Sequence, residues 1–356
     1  MSKYIAKGSY GCIIKPNINC DGSFGNTNEV SKFFFDKKDY FDEKKLQEKI
    51  DKIDKKKIFT IKKKSNCKIQ LTPEIKKKIS KLNLCEFDTD EIYQITYEYG
   101  GIDIHNLFKL DIHNKIDFFE FFQKFSNVFD GLCKINESGF IHFDIRTDNI
   151  LYDINKKKFV IIDFGMLKEK KNIFRFDKIH SFKNSPHPNY PNEISILSYI
   201  MDGIFYKDLN KYNLNSNILI MLIDNKMIHI INRYKLSDNP YFKKLLKEFI
   251  NIFNYFDIDI YKSFNPDIYE KIFHRKTNIS KLCFDISGKI DVYMLGILLL
   301  ELLLDIFTKS YNNPSIKKIP LKLFPLIKKM VLINPCDRPT IQQATKEFKS
   351  IMKSQV

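Results

Sequence analysis

The stretch Val292–Leu304 is the most apolar in the chain, and it constrains the fold more than any other segment. Its residues would make a helix apolar on every side, broken only by Glu301. A bilayer span needs about 20 consecutive apolar residues, and this run is shorter. A helix that is hydrophobic all round has to be enclosed by other elements of its own domain. The segment therefore predicts a buried helix and enough surrounding chain to cover every face. With 356 residues, 44% of them hydrophobic, the chain can build one large or two modest domains, and intrinsic disorder is not expected.

Charge suggests partners that the pattern then argues against. Lys and Arg number 59 against 43 Asp and Glu, a net charge of +16, which raises nucleic acid or a membrane surface. The Lys runs at 55–57, 62–64, 76–78 and 156–158 lack interleaved aromatics, however, and read as solvated loop or helix faces. The accompanying Ile, Asn and Phe are what an AT-rich coding sequence yields without selection for binding. Nucleic acid is thus not the expected partner, and no membrane span is expected. The seven cysteines, Cys12, Cys20, Cys67, Cys85, Cys133, Cys283 and Cys336, are odd in number and include no close pair. Neither a disulfide framework nor a zinc site is expected from them. Met1–Lys7 lacks the apolar stretch of a secretory leader, so the expected location is a reducing compartment, by default the cytoplasm.

Strands come first along the chain. Tyr4–Ala6 and Cys12–Lys15 flank a Gly turn, and Val30–Phe35 is a short β-branched and aromatic run. From Asp39 to Ile53 the residues Phe41, Leu46, Ile50 and Ile53 recur at helical spacing, which predicts an amphipathic helix packed on a sheet. A basic, weakly patterned stretch follows. Ile92–Tyr99 alternates as a strand should and stops at Gly100-Gly101, where two lobes could meet. Helical patterns then dominate, clearest over Phe118–Ile135, with a small hairpin expected from Ile150–Tyr152 and Phe159–Ile162. The expected class is α+β, with a strand-rich part over 1–99 and a mostly helical part over 100–356.

The chemistry is carried by His142-Phe143-Asp144-Ile145-Arg146-Thr147-Asp148-Asn149-Ile150-Leu151, followed after the hairpin by Ile161-Ile162-Asp163-Phe164-Gly165. Any one of these acids could simply cap a helix or turn. Their combination, with strand-turn-strand between them, is specific. It resembles the catalytic and magnesium loops of eukaryotic-type protein kinases. The resemblance implies a two-lobed kinase-like fold, with Asp144 as base at the acceptor hydroxyl, Arg146 at the transferring phosphoryl, and Asn149 and Asp163 as ligands of Mg²⁺, or of Mn²⁺. The spacing lets one loop aim a carboxylate at the acceptor while an amide reaches the phosphate-bound metal.

Upstream segments extend the resemblance. Ile5-Ala6-Lys7-Gly8-Ser9-Tyr10-Gly11-Cys12-Ile13 is similar to the glycine loop that covers ATP phosphates, with Ala6 where the first Gly would stand. The plain alternative is a β-hairpin turn. Lys32 on the next strand resembles the Lys that pairs the phosphates, and its ion-pair partner is expected on the following helix, Glu43 first and Glu48 second. Tyr97-Glu98-Tyr99-Gly100-Gly101 resembles the adenine-binding hinge, with Tyr97 as gatekeeper, Glu98 and Tyr99 at the nucleotide, and Asp103 at the ribose. Tyr190-Pro191-Asn192-Glu193 resembles the close of the activation segment, Asp291-Val292-Tyr293 the start of the central helix, and Arg338 the Arg that pairs with the segment-closing Glu193.

Several positions depart from that pattern. Phe143 stands where an Arg usually precedes the catalytic Asp, so a phosphorylated activation loop would lack a guanidinium partner there. Arg146 replaces a Lys, which keeps the charge but changes its geometry; Ser/Thr is preferred over Tyr as acceptor. Residues at about 194–285 form an insertion, read as a docking surface for a partner or an extra helical subdomain. With the composition, these features resemble the divergent Ser/Thr kinases of large nucleocytoplasmic DNA viruses, which would imply host cytoplasm or virion. Three alternatives remain beside the Ser/Thr protein kinase reading. They are a catalytically weak pseudokinase or scaffold, a small-molecule kinase sharing the catalytic loop, and a nucleic-acid-binding module. Asp-Phe-Gly and the Arg338 motif favour a protein substrate.

Overall fold

The computed structural model describes residues 3–8, 11–80, 90–110, 113, 115–173, 191, 286–310, 313–320, 322–332, 335 and 337–354. The chain divides into two units. The first holds Met1–Ile102 together with Leu151–Gly165, and the second holds Asp103–Ile150 together with Met166–Val356. The hairpin that the linear reading left with the helical part thus groups with the strand-rich part.

The first unit is built on one antiparallel sheet of five strands. These are β1 (Lys3–Gly8), β2 (Gly11–Lys15), β3 (Glu29–Phe34), β4 (Lys63–Gln70) and β5 (Glu91–Glu98), in the order β1-β2-β3-β5-β4. Period-two alternation along β3 sends Val30, Lys32 and Phe34 to one face and Ser31 and Phe33 to the other. Val30 and Phe34 pack with Tyr40, Ile95 and Tyr97, while Phe33 joins Cys12, Ile14, Ile18, Ile69, Leu71, Ile75 and Ile92. Strand β4 falls in the stretch that showed no pattern. It lies at the sheet edge with Ile69 its one buried residue, so lysines such as Lys64 and Lys68 meet water and discourage pairing with another chain.

Helix α1 (Lys37–Ile53) begins at Asp36, whose side chain accepts from Lys38 N, and ends at Asp54. Its buried residues are Tyr40, Gln47 and Ile50. Phe41, expected on that face, is instead 48% exposed, because Tyr40 takes the place against the sheet. The Tyr40 ring meets Phe34 edge-on at 5.7 Å and lies 4.8 Å from Tyr93, while its hydroxyl accepts from Asn66 Nδ2. A second helix, α2 (Pro73–Ser80), follows β4. The hairpin of β6 (Ile150–Asp153) and β7 (Lys158–Ile161) supplies Leu151–Gly165 to this unit, and Thr60 forms a parallel bridge with Ile161.

The expectation of unpaired cysteines is corrected here: Cys20 and Cys67 are joined by a disulfide, with Cα atoms 6.0 Å apart and 47 residues between them in sequence. Cys12 is disulfide-bonded as well. The loop after β2 folds back across the sheet, where Gln94 Nε2 donates to Ile18 O and to Cys67 Sγ. That return brings Cys20 to β4, a proximity that spacing cannot reveal.

The second unit surrounds a central helix. Helix α3 (Phe118–Glu137) starts at Asp117, which accepts from Phe119 N and Glu120 N, and buries Phe118, Phe121, Phe122, Phe125 and Phe129 along one stripe. Helix α4 (Ile290–Lys309) is the predicted apolar helix, and its residues from Ile290 to Phe307 are all buried. Two further helices, α5 (Leu323–Met330) and α6 (Ile341–Lys353), complete the described layer. Helix α6 opens with a capping box between Thr340 and Gln343 and stacks Phe348 on Phe129 of α3 at 4.3 Å. No helix among the described residues is long and apolar enough to cross a membrane. The insertion at 194–285 lies outside the described residues.

Candidate active site

The candidate residues fall in both units, and each group is built by its own elements. In the first unit, Lys32 projects from β3 toward α1, and its Nζ lies 3.0 Å from Glu43 Oε1. Both side chains are four-fifths withdrawn from water, at 18% and 19% exposure, so the pair is screened less than a surface salt bridge. Glu48, the second choice, is exposed on the same helix. The Tyr97 hydroxyl also donates to Glu43 Oε1, at 3.3 Å. Burial, then the Glu43 charge, holds the Tyr97 phenol well above its ordinary value, with a smaller contribution from Asp163. Tyr97 was read as a gatekeeper by position alone, and no pattern in the sequence announces its bond to Glu43.

Asp163 follows β7 at φ +58, a left-handed conformation uncommon for a residue with a side chain. Its carboxylate is exposed and its Oδ1 accepts from Gly165 N at 3.3 Å. Phe164 beside it is buried. The turn thus presents an acid outward while anchoring the chain through the ring.

The remaining first-unit candidates lie along the sheet. Ala6 pairs with Ile13 and Gly8 with Gly11, while Ser9 and Tyr10 lie outside the described residues. Gly11 has a packing role of its own: a Cβ there would come 1.8 Å from Phe33 O, so β2 can approach β3 only without a side chain. Ile13 lies opposite Lys32 on β3. Glu98 is bonded to Lys156 at 2.9 Å, and that ammonium keeps its carboxyl below the ordinary range. Backbone donors at the expected hinge are engaged within the unit, Glu98 N to Lys62 O and Tyr99 N to Asn28 O. The Lys15 ammonium sits 3.2 Å above the Tyr99 ring.

In the second unit, the loop from His142 to Asn149 is held from α4. Asp291 accepts from His142 N at 2.7 Å and from Phe143 N at 2.9 Å. Desolvation raises its pKa to about 6, against the lowering effect of those two bonds. Phe143 is fully buried at φ +66, so the position left without a guanidinium is filled by a ring. Beyond it, Asp144 N donates to His142 Nδ1 at 3.3 Å. Asn149 Nδ2 donates to Asp144 O at 2.9 Å and to Asp144 Oδ2 at 2.8 Å, which fixes the orientation of that carboxylate. Arg146 is hydrogen-bonded to Asp148. Asp103 Oδ1 accepts from Asn106 N and its Oδ2 from Asn106 Nδ2, capping the turn Ile104–Leu107. Arg338 is buried over the Tyr293 ring at 4.7 Å and bonded to Leu332 O, while its expected partner Glu193 lies outside the described residues.

No group of three His, Cys, Asp or Glu that could hold a metal occurs among the described residues. Magnesium needs no such cluster, since it is commonly held by one or two carboxylates plus substrate phosphates and water. The donor chemistry present, an exposed carboxylate at Asp163 and an amide oxygen at Asn149 whose NH₂ is spent on Asp144, fits that hard-oxygen role.

Comparison with known proteins agrees at the level of the superfamily. A family model described as the ABC1 atypical kinase-like domain matches residues 88–192, under a third of the chain. The human and mouse cell division cycle 7-related protein kinases are each 37% identical over 57 residues, covering 16% of this chain. The match spans only 10% of those relatives' own length. Together these similarities support a place in the protein-kinase-like superfamily.

Proposed function

We propose that the protein is a protein kinase that transfers the γ-phosphoryl group of ATP to Ser or Thr hydroxyls of a protein substrate. The observation that carries this reading is the pair of bonds from Asn149 Nδ2 to Asp144, which hold a half-buried carboxylate in one orientation on a loop fixed from α4. A carboxylate so held can accept the acceptor proton without reorganising during the reaction. Lys32, oriented by Glu43, is the group that would hold ATP phosphates. Asp163 and Asn149 would hold Mg²⁺, or Mn²⁺ in its place. Bound metal supplies positive charge beside the phosphate oxygens as the phosphoryl group moves. Arg146 would release Asp148 to meet that group, and the hinge around Glu98 and Tyr99 would receive the base.

No covalent enzyme intermediate is needed, because the loop positions the acceptor for direct displacement. The kinase-like similarity over 88–192 adds support from outside the geometry. A viral setting in host cytoplasm or virion, and a docking role for 194–285, belong to the same proposal and rest on the sequence resemblance. The deciding experiment measures Mg²⁺-dependent transfer of labelled γ-phosphate to a basic protein and to the chain itself, for the parent and for Asp144→Asn. Label on Ser or Thr with the parent alone is the expected result. Equal inactivity of both, with Mg-ATP still bound, would replace catalysis with a scaffold role.

A further inference from the structure

Asp54 is a carboxylate that the proposed transfer does not use, yet it is 2% exposed and heavily engaged. It closes α1, with its own N–H bonded to Ile50 O at 2.8 Å. Its Oδ1 accepts from Ile58 N at 2.9 Å. Its Oδ2 accepts from Phe59 N at 2.9 Å, Thr60 N at 3.0 Å and Thr60 Oγ1 at 2.9 Å. Three consecutive peptide planes are thereby fixed by one charged group, and charge-assisted bonds of this kind are about twice as strong as neutral ones.

What those planes do next is specific. The Phe59 carbonyl accepts from Ile161 N at 2.7 Å, and Thr60 bridges Ile161 in parallel. Lys158 Nζ adds a bond to Lys57 O at 2.8 Å. Two residues beyond Ile161 stands Asp163. A continuous set of bonds therefore runs from the helix that carries Glu43, through Asp54 and residues 58–60, to the strand that delivers Asp163, all within the first unit. A helix cap alone would need only the helix end; here the carboxylate bonds forward into the loop that pairs with β7.

We propose that Asp54 is a positioning residue that ties the placement of Asp163 to that of α1, so that cation-assisted nucleotide binding depends on it. This rests on the kinase reading given above for the roles of Glu43 and Asp163.

The test uses the full chain with two variants, Asp54→Asn and Thr60→Val, the second removing only the hydroxyl bond. Amide hydrogen exchange is followed over 57–60 and 158–163, and a fluorescent ATP analogue is titrated at graded Mg²⁺. Expected are faster exchange at Ile161 together with Phe59, and a fivefold or greater rise in the Mg²⁺ needed for half-maximal nucleotide binding. KM for a protein substrate should stay within about twofold, a split that general loss of structure would not give. Should Asp54→Asn fail to fold, Thr60→Val decides. Exchange at 158–163 equal to the parent in a variant whose 57–60 segment has loosened would overturn the proposal, as would an unchanged Mg²⁺ dependence. A parent that transfers no phosphate defeats the kinase reading instead, and the exchange result still decides the coupling.

Discussion

The Asp291 carboxylate accepts the Phe143 N–H at 2.9 Å across 148 residues of sequence. Burial has raised this acid from 3.8 to about 6, so the folded chain binds a proton where the unfolded chain does not. The stability from that proton is complete below 3.8 and is lost as pH rises through about 6, amounting to about 3 kcal/mol for a shift of this size. Asp291→Asn should therefore melt with a flatter pH dependence between about pH 4 and 7 than the parent. Activity should run the other way. The ionised acid accepts both loop N–H groups, so the parent's transfer rate should fall below about pH 6, and the Asn variant should be slow at every pH.

If Lys32 binds ATP phosphates as proposed, Lys32→Met should lower transfer by roughly a hundredfold or more while leaving the melting temperature near that of the parent. Tyr97→Phe should act more gently, weakening the Lys32–Glu43 arrangement by about 0.5–1.5 kcal/mol. Labelled-phosphate assays with thermal melts separate the two effects.

Phe143 fills with an aromatic ring a position that offers no guanidinium to a phosphorylated loop. Phosphatase treatment should therefore change the transfer rate by less than about twofold, on the rule that loop control by phosphate needs a paired Arg. Phe143→Ala should cost about 3–5 kcal/mol of stability through the cavity it leaves, read by denaturant unfolding.

Closing a loop of 47 residues' separation, the Cys20–Cys67 bond should contribute about 3–4 kcal/mol by restricting the unfolded chain. Cys67→Ser should unfold at correspondingly lower denaturant than the parent under oxidising conditions, and the gap should close once a thiol reductant is added.

Much of this was legible in the sequence for identifiable reasons. The apolar run ending at Leu304 read as an enclosed helix, and the β-branched and aromatic run around Lys32 placed it on a strand. Strand β4 was not legible, because an edge strand that faces water needs no apolar period. The helical period of α1 was visible and Ile50 is buried as expected, but in the first turn Tyr40 takes the inward place expected of Phe41, a choice between two adjacent aromatic rings that both meet Tyr93. Asp103 was placed at the ribose by resemblance alone, and its cap on Asn106 three residues on is a local bond that the resemblance did not include. Asp54 and the cysteine pair carried no signal, since their meaning lies in which distant backbone they meet.

Helix α4 holds the loop from His142 to Asn149 through Asp291 in its first turn, and at its far end Lys309 O is bonded to His113 Nε2 at 3.0 Å. A rod of 20 residues spans about 30 Å, which makes this helix a chassis to which separate parts of the unit are bolted. The path of the loop that carries Phe143 is thus set from outside the loop, by one acidic residue in the first turn of the helix.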